Sequence, residues 1–212
     1  MLSTFLALSL QVAEATTMVP LSVEQITDIS NVVVRGVVTE IWTEPDPETK
    51  TIWTYAQVEV QEVLKGSPDT QVIVIEQPGG EFGEKKTTVE GVARFSIGEE
   101  GYFFVEELAS GRLVSTGMFQ GKFNIILDPY SQKELAIRFP VHPNRNFDHR
   151  FIPLPPEKDR VPVDAFEQRV EHRIKAGWDG KSIPGISREK LEMTNLTDQK
   201  IQSKYSKDEV TK

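Results

Sequence analysis

The chain has 212 residues, a formal net charge of -8 and no cysteine. That length buries one ordinary domain and an appendage without staples, and the missing cysteine excludes disulfides, thiolate zinc sites, a cysteine nucleophile and a lipidated cysteine. The acidic balance has the wrong sign for a general nucleic-acid binder, which displaces counterions from phosphates with clustered lysine and arginine.

Residues 1–15 read as a signal peptide. An apolar run from Leu2 to Leu10 precedes Ala13-Glu14-Ala15, a small-x-small pattern that suits a cut before Thr16. The first basic residue is Arg35, so the usual basic start is missing apart from the α-amino group; a start further upstream and a frayed apolar terminus are the other readings. The run is too short to span a bilayer. The expectation is export, to the periplasm or beyond, with no transmembrane segment once the peptide is removed.

Ser22-Val23-Glu24-Gln25 has the form of a capping box and predicts a short helix to about Ser30, with Leu21, Ile26 and Ile29 buried. Three strands follow between Asn31 and Pro78. Ala56, Val58 and Val60 alternate with Tyr55, Gln57, Glu59 and Gln61, the period of a strand with one wet face. The denser runs Val32–Val38 and Val72–Ile75 suit strands covered on both faces or lining a closed barrel. Pro45, Asp46 and Pro47 supply a turn within the loop from Thr43 to Thr51. Trp42 and Trp53 sit at its two ends, with Tyr55 close by. Exposed at a hairpin tip, these rings would stack on a ligand; as a cross-strand pair they would only stabilise the hairpin, which is the commoner use.

Gly66 and Pro68 end the second strand, and Pro78-Gly79-Gly80-Glu81-Phe82-Gly83 predicts a flexible corner rather than a phosphate loop, since no Gly-Lys-Ser/Thr follows. Glu84–Glu90 reads as surface loop with little regular structure. Tyr102–Val105 and Arg112–Thr116 read as further strands, and Phe119–Ile126 with Glu134–Arg138 as a hairpin about Asp128-Pro129. Glu99 and Glu100 are neighbours on one stretch of chain, which does not give the opposed placement that glycosidase carboxylates need, and they read as a solvated turn.

Prolines crowd the span from Pro140 to Pro162, which reads as an extended connector. Asp164-Ala165-Phe166-Glu167 resembles a second capping box. Phe166, Val170, Ile174 and Trp178 recur every four residues, one stripe of an amphipathic helix that docks on the barrel or on a partner. From Gly185 the composition is polar and mixed in charge, and weak helix or disorder is expected.

The order of elements resembles the N-terminal OB-like barrel of the tissue inhibitors of metalloproteinases and the netrin-like modules. The likeness covers about Ile26 to Leu127 and rests on NVVVRGVV, YAQVEVQEVLKGSPD with its Lys65-Gly66 corner, and FSIGEEGYFF. The chain is also similar to small uncharacterised exported bacterial proteins carrying LKG, PGG and GE signposts. The resemblance implies the fold. The inhibitors' mechanism, an N-terminal cysteine chelating the protease zinc, is not available to a chain without cysteine.

The sequence therefore predicts a mainly β protein, an OB-like β-barrel with a short N-terminal helix and a C-terminal amphipathic helix. It divides into 1–15 signal peptide, 16–139 barrel, 140–162 connector, 163–178 helix and 179–212 polar tail. The expected function is a non-enzymatic binding or accessory module of the cell envelope. No Gly-x-Ser-x-Gly or His-Glu-x-x-His is present, and Asp148-His149 are adjacent residues, which rarely serve one another, so an envelope hydrolase without a recognisable motif is the rival. Candidate binding residues are Trp42, Trp53, Tyr55, Phe166, Val170, Ile174 and Trp178, facing an unidentified protein partner and not nucleic acid. No metal or other cofactor is expected, and a zinc site, if there were one, would begin at His142 and His149.

Overall fold

A computed structural model describes residues 18–68, 71–138 and 160–209, with side chains up to residue 200. The expected signal peptide, most of the proline-rich connector and the pair His142 and His149 lie outside these residues.

The protein is mainly β. Helix α1 (Val23–Ile29) starts with the capping box the sequence predicts: the Gln25 amide donates to the Ser22 hydroxyl and the Ser22 amide to the Gln25 side chain. Strands β1 (Val32–Pro45) and β2 (Ile52–Lys65) form a long hairpin, and β3 (Val72–Pro78) follows antiparallel to β2. Residues expected to be a glycine-rich corner and an irregular loop instead make a small hairpin, β4 (Gly80–Phe82) with β5 (Lys85–Thr87). It shows no apolar alternation; its anchor is Gly80, where a Cβ would stand 2.6 Å from the Thr54 hydroxyl.

After β6 (Glu100–Glu107) and β7 (Leu113–Ser115), a 3-10 helix (Met118–Gly121) takes the residues before β8 (Lys122–Leu127). Strand β9 (Glu134–Ile137) pairs with β8, and β10 (Arg160–Pro162) adds a strand at the end of the expected connector. The sheet order is β1-β2-β3-β7-β6-β8-β9-β10, and β1 also pairs with β6, so the first five strands of that order close a ring. Gly36 and Gly101 face each other where the ring turns. A Cβ on either would approach a neighbouring strand's carbonyl oxygen to 2.4 Å.

Val34, Val38, Val58, Ile73, Ile75, Phe103 and Val105 fill the ring. A second core lies outside it, between β6, β8 and the helices. Strands β1 and β6 send alternate residues into both cores, which explains their unbroken apolar runs.

Helix α2 (Val163–Ala176) closes this second core. It begins at Val163 behind Pro162, with no side-chain cap, so the expected Asp164 capping box does not form: the cap position falls on Pro162, which has no side-chain acceptor, and Asp164 lies inside the first turn. Phe166 and Val170 are fully buried. The helix stops at Gly177, which takes a φ of 69°, so Trp178 is not part of the helical stripe; its indole donates to the Lys181 carbonyl while its ring, like Ile174, packs at the edge of the core. The tail forms α3 (Arg188–Glu209), held through buried Leu191.

A candidate binding face on the first three strands

Two surfaces collect chemistry. The first is the outer face of the β1–β2–β3 sheet. Ala56 and Val58 are fully buried, Val58 within the ring core, so Trp53, Tyr55 and Gln57, which alternate with them, face outward. On β1 a register shift between Val38 and Glu40 sets the pairing beyond it, and Trp42 comes to lie opposite Tyr55 while Trp53 faces Glu44. The two tryptophans are therefore not the cross-strand pair that their places at the loop ends suggested. Trp42 and Tyr55 stack, with ring centroids 5.2 Å apart and planes 9° from parallel.

Beside them the Arg112 guanidinium lies 4.4 Å from the centre of the Trp53 ring. It enters from the turn between β6 and β7, where the Gly111 amide donates to the Leu108 carbonyl at 2.8 Å. Arg112 is clamped by two carboxylates, Glu76 on β3 and Asp46 in the β1–β2 turn. Hydrogen bonding to Tyr55 and the nearby Glu76 carboxylate push the arginine further above its already high value. Asp46 is held below the ordinary carboxylate range, first by the Thr49 amide, then by the Thr49 hydroxyl, the Glu48 amide and Arg112. The Trp53 indole donates to the Thr51 hydroxyl at 3.2 Å.

The result is a braced row of Trp42, Tyr55, Arg112 and Trp53 whose three rings are each half-buried. Glu40, Glu44, Glu48 and Glu59 stand exposed around it. Such a face can stack on an apolar or planar group and accept hydrogen bonds from cations. It cannot track a phosphate backbone, because its one arginine is already neutralised.

The second surface is a polar cavity of about 100 Å³ where α1, α2, α3 and the end of β2 meet. Lys65, whose side chain is 3% exposed, donates to the Thr27 carbonyl at 2.6 Å and pairs with Asp198 at 2.9 Å. Arg173 forms a fork on Asp28 with contacts of 2.7 and 2.6 Å. Burial pushes Asp28 and Asp198 up and Lys65 down, each opposed by its partner's charge. Each of these four charges is matched by one from another element, so the cluster ties three helices to the sheet. Breaking one member of such a pair is far more costly than removing both.

The sequence reading named Trp42, Trp53 and Tyr55, and these three come together on the outer face. It did not find Arg112, Asp46 or Glu76 as their braces, nor Lys65, Asp28, Arg173 and Asp198 as a cluster. Phe166 and Val170 present no surface to a partner, being core residues. Among the described residues no group of three or more histidines and carboxylates is placed to hold a metal ion, and no helix is long and apolar enough to cross a membrane. No model of a known protein family matches the chain, and no curated protein is similar enough to be matched to it.

Proposed function

We propose that the protein is an exported, non-enzymatic binding or accessory module of the cell envelope, built on an OB-like barrel, and that it engages a protein partner through the outer face of β1, β2 and β3. The OB-like reading is supported by the closed order β1-β2-β3-β7-β6, with β3 and β7 parallel at Glu76 and Val114. An OB barrel has five strands and takes its ligands on strands two and three between the loops that follow strands one and four. Trp53, Tyr55 and Glu76 lie on the second and third ring strands. Asp46 belongs to the turn after the first, and Arg112 to the turn after the fourth. This coincidence, the braced aromatic row on the face such barrels use, is the observation that carries the proposal.

Export is supported by the apolar run and the Ala13-Glu14-Ala15 pattern. A mature chain from the native host beginning at Thr16 fits it, and intact Met1 in a cytoplasmic fraction contradicts it. The binding face is tested by capturing partners from the native envelope with the wild-type protein and with Trp42→Ala/Tyr55→Ala. Loss of the co-purifying protein from the variant, while it still unfolds in one cooperative transition at a melting temperature lowered by only a few degrees, is the expected result. Equal recovery by both proteins would remove the face from the account.

A further inference from the structure

The same face ends in an open sheet edge, and the two features point at one kind of occupant. Strand β1 is paired with β6 as far as Val37, and the turn before β6 covers Val38, whose amide donates to the Glu99 carbonyl at 3.0 Å while the Gly98 amide donates to the Val38 carbonyl at 2.8 Å. From Thr39 to Pro45 no described strand pairs with that side of β1. The direction of the backbone groups follows from the turn. The Asp46 amide donates to the Thr51 carbonyl at 2.7 Å, so Asp46 turns its backbone toward β2. Counting back by twos, Glu44, Trp42 and Glu40 do the same, and Ile41 and Thr43 turn their amides and carbonyls to the open side. Pro45 lacks an amide and closes the edge.

Trp42 carries Tyr55 on the side toward β2, so the other face of its indole looks toward the open edge. Glu40 and Glu44, two residues away in each direction, share its face of the strand and are exposed. A strand laid along this edge would therefore meet a carboxylate, an indole and a carboxylate at successive outward positions.

We infer, resting on the binding-face reading above, that β1 accepts an extended basic segment of a partner protein as an added strand, bonded to Ile41 and Thr43. The segment carries lysine or arginine opposite Glu40 and Glu44 and an apolar or aromatic residue opposite Trp42. Strand addition draws affinity from main-chain bonds and specificity from alternate side chains, and this edge offers both. A second copy of this chain is the poorer occupant, because antiparallel β1 strands would bring Glu40 and Glu44 against their own kind.

The test uses the full-length protein, calorimetry and a capped peptide, Thr-Lys-Thr-Tyr-Thr-Lys-Thr. Two further copies of the peptide are N-methylated, one on its odd amides and one on its even amides. Strand addition predicts that one methylated copy binds as the parent does and the other at least about tenfold more weakly, because only one set of amides faces β1. Glu40→Lys/Glu44→Lys should weaken the parent by at least about tenfold, and Thr43→Pro should weaken it more than Thr43→Val, which loses the same hydroxyl bond to the Glu81 carbonyl but keeps the edge amide. Equal binding of the two methylated copies, no binding of the parent, or a concentration-dependent dimer abolished by Thr43→Pro would each overturn the inference. The two readings fail separately. Equal binding of the methylated copies leaves the face standing, whereas envelope capture indifferent to Trp42→Ala/Tyr55→Ala removes the face whatever the peptides do.

Discussion

The protein contains two aromatic groups that have been put to opposite uses. Tyr102, Phe104, Phe123 and Phe166 are each at or below 1% exposed, and Phe166 lies 4.7 Å from the Tyr102 and Phe123 rings and 6.1 Å from Phe104. Trp42, Tyr55 and Trp53 keep part of their area in water, and each ring is stacked on one face only, whereas Phe166 meets three rings. Rings closed on all sides stabilise a fold through buried area and tight packing. Rings braced from one side are held in position while a face stays open. The comparison separates the helix stripe, which holds the protein together, from the hairpin face, which is free to meet something else.

The largest expected effect lies in the closed group. Phe166→Ala should cost about 3–5 kcal/mol, and at roughly 2–4 °C per kcal/mol for a chain of this size the melting temperature should fall by about 6–20 °C. A fall of a degree or two would mean that α2 is loosely seated and that its stripe is available to a partner after all.

The polar seam beside that group comes next. Lys65→Met leaves Asp198 without its cation in a half-closed cavity and should cost about 3 kcal/mol in denaturant unfolding. Adding Asp198→Leu should return stability to within about 1 kcal/mol of wild type, since an apolar pair replaces an ion pair at little net cost. A double variant as unstable as the single one would show that Lys65 acts through the Thr27 carbonyl and not through Asp198.

The open group should respond least. Trp42→Ala removes one stacked pair, worth about 0.5–1.5 kcal/mol, together with the buried part of a half-exposed indole, and should cost less than Phe166→Ala by thermal unfolding. A loss as large as that of Phe166→Ala would make the row structural. The smallest effect is in acid. Asp46 has a folded value depressed below 3.8, so its contribution is present above that unfolded value and is lost as pH falls through the lower folded one. Trp53 fluorescence should therefore change below about pH 4, as Arg112 loses the Asp46 carboxylate, while the unfolding transition stays intact. A change centred near neutral pH would assign it to another group.

How much of this was legible differs by region for physical reasons. The capping box at Ser22 and Gln25 and the period-two strands were readable because each depends on residues near in sequence. The β4–β5 hairpin was not, since its strands of three residues carry no apolar alternation and its anchor is packing of Gly80 on Thr54 and Thr43. The four-residue spacing extended the helix stripe to Trp178 because that ring does pack on the same core, although Gly177 had already ended the helix. At the face, the ring types were visible but not their partners. A shift of register between Val38 and Glu40 decides that Trp42 meets Tyr55, and closure of the ring brings Arg112 to Asp46, 66 residues away. Neither has a local signature.

The most direct test of the division between the two groups is hydrogen exchange on the full-length protein, free and bound to the partner captured from the envelope. The account predicts added protection confined to residues 39–45 and 53–57, with residues 163–176 exchanging alike in both states. Protection of α2 with no change in the β1–β2 hairpin would contradict it and move the binding surface to the helix.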